Sequence, residues 1–291
     1  MILVTGATGN LGSAAVSQLL KNTAADNIVA FARDENKAKN LKEKGVAVRI
    51  GSYDNMSSLE LAMQGVEKVL LISSNGQTRL QQHKNVLAAA KKARIKHIIY
   101  TGILMKNIET AAIRPFMEDL TKTEDYIRES GMTFTVLRNT LYAGGNPLYA
   151  GEKVFETGIN LPAGNGKAPF ALRREMGEAA ANILLQKGHE NKVYEITGSE
   201  LYSYKDVADA LSSLSGKTIN YTNIDPAAFP SKLKEIGLPE IVVQLVTRFS
   251  EDVKNHQFEI VTNHLEKLLG RKPASLKESL KEVFGFVHSV A

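Results

Sequence analysis

The sequence contains no cysteine. That excludes disulfides, thiolate zinc sites and cysteine nucleophiles, and it fits a reducing compartment. No apolar stretch reaches the ~20 residues that a membrane-spanning helix needs. No internal repeat or low-complexity segment is present, and no signal-peptide pattern stands before the first strand-like run. The expectation is a cytoplasmic protein with no membrane contact. Charge of one sign is not in large excess, since 36 basic against 31 acidic residues leave a net +5. The densest basic run, Lys91-Lys92-Ala93-Arg94-Ile95-Lys96-His97, falls at the end of a predicted helix, where cations suit the dipole. No nucleic-acid patch is read from it. His83 and His97 have no second ligand at i+4, and no metal site is expected.

What is present is an ordinary globular composition, 43% hydrophobic and 23% charged over 291 residues, enough for one large domain or two smaller ones. Its most informative segment is the first, Met1-Ile2-Leu3-Val4-Thr5-Gly6-Ala7-Thr8-Gly9-Asn10-Leu11-Gly12. An apolar run ends in glycines spaced three apart, and a helical pattern follows at once. In such a strand–turn–helix, Gly6 permits the sharp exit, Gly9 lets a pyrophosphate approach the backbone, and Gly12 lets the helix pack close to the sheet. The free N–H groups of the first helical turn then face the anion. The second strand ends at Arg33, 21 residues beyond Gly12. At that place an acidic residue binds the ribose diol of NAD, whereas an arginine pairs with the 2′-phosphate of NADP. Asp34 is the rival ligand, and its competing role is to cap the next helix. NADP(H) is therefore the expected cofactor.

Further strand-like runs at Ile28–Ala32, Ala47–Ile50, Lys68–Ile72, His97–Thr101, Thr133–Arg138 and Val193–Thr197 alternate with helical patterns such as Leu80–Ala93 and Met117–Ser130. Continuous apolar strands alternating with helices predict a doubly wound parallel sheet, covered on both faces. After Arg138 the pattern changes. Residues 139–167 are rich in Gly, Pro and Asn, and from Ser203 onward the chain reads as mostly helical, opened by a Ser203/Asp206 capping box. The expected organisation is a Rossmann domain of residues 1–140, completed by 174–198, with a smaller, mostly helical cap from 141–173 and 199–291. Ligands would lie between cap and sheet, at the carboxyl ends of the strands. Tyr142, Phe155 and Phe170 are candidate wall residues of an apolar slot.

Several segments together resemble the NmrA-like group of atypical short-chain dehydrogenases, and within it the quinone oxidoreductase 2 and triphenylmethane reductase branch. They are Val4–Gly12, Ala32-Arg33-Asp34, His97-Ile98-Ile99-Tyr100-Thr101-Gly102, Thr123-Glu124, Phe134–Asn139 and Gly188–Tyr194. The resemblance implies a flavin-free, NADPH-dependent reductase acting on quinones or other flat, electron-poor aromatics. It implies a pyrophosphate cradle at Gly6, Ala7, Thr8, Gly9, Asn10 and Leu11, and a 2′-phosphate ligand at Arg33. Ile72, Ser73 and Ser74 would pass the adenosine and nicotinamide ribose, and Asn139, Thr140 and Tyr142 would line the nicotinamide end. Short-chain dehydrogenases that use a Tyr-x-x-x-Lys pair carry it in the helix after the fifth strand. Here Tyr149 and Lys153 match the letters but lie in the irregular excursion, and that helix has no such pair. Relatives often carry histidine at the position of Leu120. The proton donor is thus unknown, with Lys122 and Tyr142 as weak candidates; direct hydride transfer to a quinone needs none. The missing donor keeps open a non-catalytic NADP(H)-binding redox sensor. A sugar epimerase or reductase is a third, weaker option. The sequence leaves a homodimer open.

Overall fold

Runs rich in Val, Ile and Leu, too short for helices and lacking polar alternation, become strands buried on both faces. In the computed structural model, which describes residues 1–74, 76, 78–145 and 153–286, these are β1 (Ile2–Thr5), β2 (Ile28–Ala32), β3 (Ala47–Ile50), β4 (Lys68–Leu71), β5 (His97–Ile103) and β6 (Phe134–Asn139). After two two-residue strands, β7 (Ile159–Asn160) and β8 (Lys167–Ala168), β9 (Lys192–Ile196) closes the sheet. The strand order is β3-β2-β1-β4-β5-β6-β9, all parallel. The order reverses between β1 and β4, and a crevice opens there at the carboxyl ends.

Helices α1 (Asn10–Leu20), α2 (Glu35–Glu43), α3 (Met56–Ala62), α4 (Arg79–Lys92) and α5 (Arg114–Glu129) connect the strands; after the one-turn α6 (Val154–Thr157) comes α7 (Arg173–Leu185). The period of two along each strand sorts side chains between two cores. Leu3, Phe31, Val69, Leu71, Ile98, Tyr100 and Val136 pack under α3, α4 and α5. Val4, Ile28, Leu70, Ile99 and Leu137 pack under α1 and α7. The α1–α7 contact is close because Gly177 has no side chain: a Cβ there would stand 2.5 Å from Leu11 O.

A third core belongs to the cap. It joins Phe170 and Leu172 to α8 (Tyr204–Ser215), α9 (Phe229–Glu235), α10 (Glu240–Lys254) and, beyond α11 (His264–Leu269), α12 (Leu276–Val283). Two small ladders brace it: β10 (Tyr202–Ser203) pairs antiparallel with β8, and β11 (Tyr221–Thr222) parallel with β7. Ser203 and Asp206 form the capping box that opens α8. Helix α11 returns to the sheet, where Leu265 and Leu268 join the core under α7.

Cap and sheet are clasped by Asp252 of α10. Its buried carboxylate accepts hydrogen bonds from Ala112 N at 2.7 Å and Ile113 N at 2.8 Å, ahead of α5. Asp252→Ala strands both N–H groups, and a buried unsatisfied donor costs ~1–3 kcal/mol. A lower urea midpoint at unchanged slope is expected; an unchanged midpoint would show that the clasp carries no stability.

Candidate active site

The turn after β1 has the shape that its glycines imply. Gly6 adopts φ +57°, in the left-handed region. Gly9 N–H donates to Gly6 O at 2.9 Å. A Cβ on Gly12 would stand 2.2 Å from Gly6 O, so only glycine lets α1 start this close to the turn. A Cβ on Gly9 would meet nothing nearer than 3.4 Å, so this face is open. Gly9 is the N-cap of α1, no side chain caps the helix, and its first turn has no acid. The first-turn N–H groups are thus left for an external anion.

The neighbouring strand ends build the floor. Thr5 Oγ1 donates to Leu70 O at 3.0 Å and accepts from Ile72 N at 2.9 Å, fixing β1 against β4 at the reversal. Tyr53 O–H donates to Ile72 O at 2.9 Å. Ser73 N–H donates to Thr101 Oγ1 at 3.0 Å, and Ser73 Oγ donates to Thr101 O. Ser74 N–H donates to Nε2 of buried His83 at 3.2 Å. His83 Nε2 therefore carries no proton; Nδ1–H donates to Thr123 Oγ1 at 2.9 Å, and that hydroxyl donates to Asp119 O at 2.7 Å. Burial, reinforced by the Arg79 charge, pushes His83 down to about 3. It is a neutral strut for Ser74, and no acid–base group at neutral pH.

At the end of β6, Asn139 and Thr140 are buried, at 3% and 4% exposure. The amide Oδ1 and Nδ2 of Asn139 and the hydroxyl of Thr140 have no hydrogen-bond partner among the described residues. Buried polar atoms in folded chains are almost always paired, so such a cluster marks a place completed by a ligand. Tyr142 follows, with the Arg173 guanidinium 4.2 Å over its ring. Burial pushes the Tyr142 phenol up; Arg173 and the nearby Asn139 amide oppose it.

These strand ends open on a cavity of about 330 Å³ between sheet and cap. Ile72, Ser73, Ser74, Thr101, Asn139 and Thr140 form its floor. Met117 and Leu120 of α5 form one wall, and Phe170, Tyr204, Val246 and Phe249 the cap side. Among the described residues its lining includes no carboxylate, histidine or lysine, and the charged members are Arg79 and Arg173. A larger depression of about 440 Å³ lies between α1, α7 and α12, among surface groups such as Ser13, Gln18, Lys21 and Glu178. It holds no strand end.

An open helix N-terminus, unsatisfied polar groups at the neighbouring strand ends and an apolar slot above them are the features that a dinucleotide site beside an acceptor site requires. The model of the NmrA-like family matches residues 1–287. The chain belongs to the NmrA-like family. It is 36% identical over 287 residues to Quinone oxidoreductase 2 of Escherichia coli, with 98% of this chain and 99% of that protein covered. The crystal structure of an NADPH-dependent quinone oxidoreductase from Escherichia coli, complexed with NADPH, matches with a TM-score of 0.91 at 35% identity, over 98% of this chain and all of that one. The triphenylmethane reductase of Citrobacter matches with a TM-score of 0.89 at 33% identity, over 98% of this chain and 99% of that one.

Within this NmrA-like chain, Ile72, Ser73, Ser74, Asn139, Thr140 and Tyr142 line the one cavity; Gly6 adjoins it at Ile72, 3.6 Å from where a Gly6 Cβ would stand, while Asn10 borders the depression beside α1. Arg33 is exposed at the end of β2. Asp34 is committed to capping α2, its Oδ1 accepting from Asn36 N at 2.9 Å and Lys37 N at 3.4 Å. Two expectations fail. Lys122, a candidate proton donor, pairs with Glu118 at 2.9 Å with its side chain half exposed, away from the cavity, because the helical period turns it from the face of α5 that carries Leu120. Phe155 packs edge-on against Phe284 and Phe286 in the cap and lines no part of the cavity. Tyr149 lies outside the described residues; Lys153 stands at the N-cap position of α6 without a side-chain capping bond. Arg79 and Arg173 went unnoticed in the sequence, where a charged residue at a helix start reads as solvated.

Proposed function

We propose that this chain is an NADPH-dependent reductase that delivers hydride, without flavin, to a quinone or similar electron-poor aromatic. Residues 1–140 and 174–198 hold the nucleotide, and residues 141–173 and 199–291 cover the acceptor. The observation that carries this reading is the unsatisfied Asn139–Thr140 cluster, set at the floor of a mainly apolar cavity whose Ile72 adjoins the Gly6 turn. The first-turn N–H groups of α1 and the backbone of Gly6–Leu11 would hold the pyrophosphate. Arg33 would hold the 2′-phosphate, and Asn139, Thr140 and Tyr142 would bound the nicotinamide. When bound there, the cofactor supplies a hydride. The chain's part is to orient it and to exclude bulk water with the apolar walls. Among the described residues the lining offers no carboxylate, histidine or lysine, and burial pushes the Tyr142 phenol up; this supports an acceptor such as a quinone, whose reduced oxyanion can take its proton from water.

The decisive measurement is NADPH oxidation by the purified, flavin-free protein, with and without a simple quinone. Steady quinone-dependent oxidation, faster with NADPH than NADH, is expected. Tight NADPH binding with no turnover over a panel of quinones and dyes would replace this reading with the cofactor sensor. Arg33→Ala tests the selector separately. A charge-assisted contact contributes ~1.5–3 kcal/mol, so NADPH binding should weaken by roughly 10–150-fold while NADH binding barely changes. An equal loss for both cofactors would refute the role of Arg33.

A further inference from the structure

Arg79 is the first residue of α4, 7% exposed, in the wall of the acceptor cavity. Its Nε donates to Ser74 O at 2.7 Å and its Nη1 to Phe116 O at 2.8 Å, which fixes the guanidinium plane between the end of β4 and α5. Both partners are neutral carbonyls; Asp119 acts on the guanidinium through space, but among the described residues no carboxylate lies in ion-pair contact with it. Two physical terms oppose a cation here. Burial disfavours the charged form, as the lowered proton affinity of this guanidinium reflects. The first turn of a helix is also the positive end of its dipole. Buried charges are ordinarily paired, and with Asp119 acting only from a distance this guanidinium is suited to an anion from outside. Arg173, the other cation of the lining, stacks on Tyr142 and also borders the depression beside Asn10 and Ser13 at the start of α1, which places it at the nucleotide end. Arg79 stands among Ser74, Met117 and Leu120, at the acceptor end.

We propose that Arg79 binds the oxygen of the acceptor that becomes negative during reduction, and so selects quinone-type acceptors over cationic ones. This rests on the reductase reading above. In the step, a hydride leaves the dihydronicotinamide of NADPH and bonds to one carbonyl oxygen of the quinone. The C–H bond breaks with its electron pair, the cofactor is oxidised to NADP⁺, and the pair displaced through the quinone ring ends on the far oxygen as an oxyanion. Arg79 holds that oxyanion until a proton from water converts it to the hydroquinone. A fixed donor aimed at developing charge is typically worth ~10²–10³ in rate.

The test uses the full chain with NADP⁺ and a phenol whose phenolate absorbs in the visible, 4-nitrophenol, as a stand-in for the oxyanion. At a pH about one unit below the free phenol's own pKa, where about a tenth is ionised in water, the bound dye is expected to be mostly phenolate in the wild type. It should be mostly phenol in Arg79→Met and intermediate in Arg79→Lys, which keeps a charge without the planar fork. In parallel, Arg79→Met should lower quinone turnover by ~100-fold, leave NADPH binding unchanged, and leave or raise turnover of the cationic dye malachite green. No phenolate enrichment in the wild type, or enrichment and quinone turnover that survive Arg79→Met, overturns the proposal. Equal loss on both acceptors assigns Arg79 a structural role and also overturns it. Arg79-dependent phenolate binding with no quinone turnover by the wild type would uphold the anion site and sink the reductase reading instead. If Arg79→Met fails to fold, the wild type and Arg79→Lys carry the same comparison.

Discussion

Gly12→Ala should abolish nucleotide binding and lower the melting temperature, whereas Gly9→Ala should abolish binding alone. At Gly12 the new methyl would meet only backbone: Gly6 O at 2.2 Å, Gly6 C at 2.7 Å and Ala7 Cα at 2.9 Å. No rotamer relieves that overlap, so either α1 moves off the sheet or the turn opens. Overpacking of this kind costs ~1–3 kcal/mol of stability. A displacement of about 1 Å also takes the first-turn N–H groups out of register with a bound phosphate, and losses on the order of 100-fold follow from misplacement of that size. At Gly9 the methyl meets only Gly6 O at 3.4 Å. The fold accepts it, and the methyl instead occupies the face that a phosphate would approach. NADPH titrations and melting curves for both variants separate the two effects. Nucleotide binding by Gly9→Ala as tight as in the wild type would mean that the phosphate sits elsewhere.

Glu124→Ala should be the most destabilising single change behind the site. Glu124 is 5% exposed, on α5. It accepts from Arg138 Nε at 2.9 Å, Arg138 Nη2 at 2.7 Å and Arg128 Nη2 at 2.7 Å. Arg138 immediately precedes Asn139 on β6, so this clamp fixes the strand end that faces the cavity. Removing one partner of a buried pair costs ~3–5 kcal/mol; the arginines, at 39% and 42% side-chain exposure, recover some hydration, which brings the expectation to ~2–4 kcal/mol. For a chain of this size that is a fall in melting temperature of roughly 5–10 °C. The pH dependence has a definite sign. Burial pushes the Glu124 carboxyl up, but the hydrogen bonds and charges of Arg138 and Arg128 outweigh it and hold the carboxyl below the ordinary value of 4.5. A group with a depressed native pKa contributes stability above its unfolded pKa and loses it as pH falls through the native one. The stability gap between wild type and Glu124→Gln should therefore be constant from neutral pH to about 5 and close at lower pH. A gap that widens on acidification would contradict the ion-pair account.

The framework was legible because it rests on local signals. β1, β2 and β3 end where the apolar runs end, and α8 begins at Tyr204, directly after the Ser203 cap. β5 and β6 run further than expected, to Ile103 and Asn139, because their ladder continues past the apolar residues. α5 opens three residues early, at Arg114, with Pro115 in its first turn, so Glu118 and Asp119 fall outside that turn. The cradle could be read because glycine spacing is a backbone property. The cavity wall could not. Whether Arg79 is solvated or enclosed depends on how α5 packs against α4, and whether Phe155 faces ligand or core depends on the cap. Neither leaves a trace in spacing or composition. The orphaned amide of Asn139 is likewise a fact of three dimensions, since its neighbours come from β5 and β9.

The close seating of Gly177 against Leu11 has a consequence for synthesis. β1, the glycine turn and α1 leave the ribosome well before α7, yet the face of α1 carrying Ala15, Val16 and Leu19 is covered by Ala180, Ile183 and Leu184 of α7, more than 160 residues later. A nascent chain thus carries a finished sequence motif with an open apolar flank until those 160 residues have been added. The glycine turn is completed only when α7 arrives, and a chain truncated before residue 173 is expected to present that flank to chaperones and to neighbouring chains.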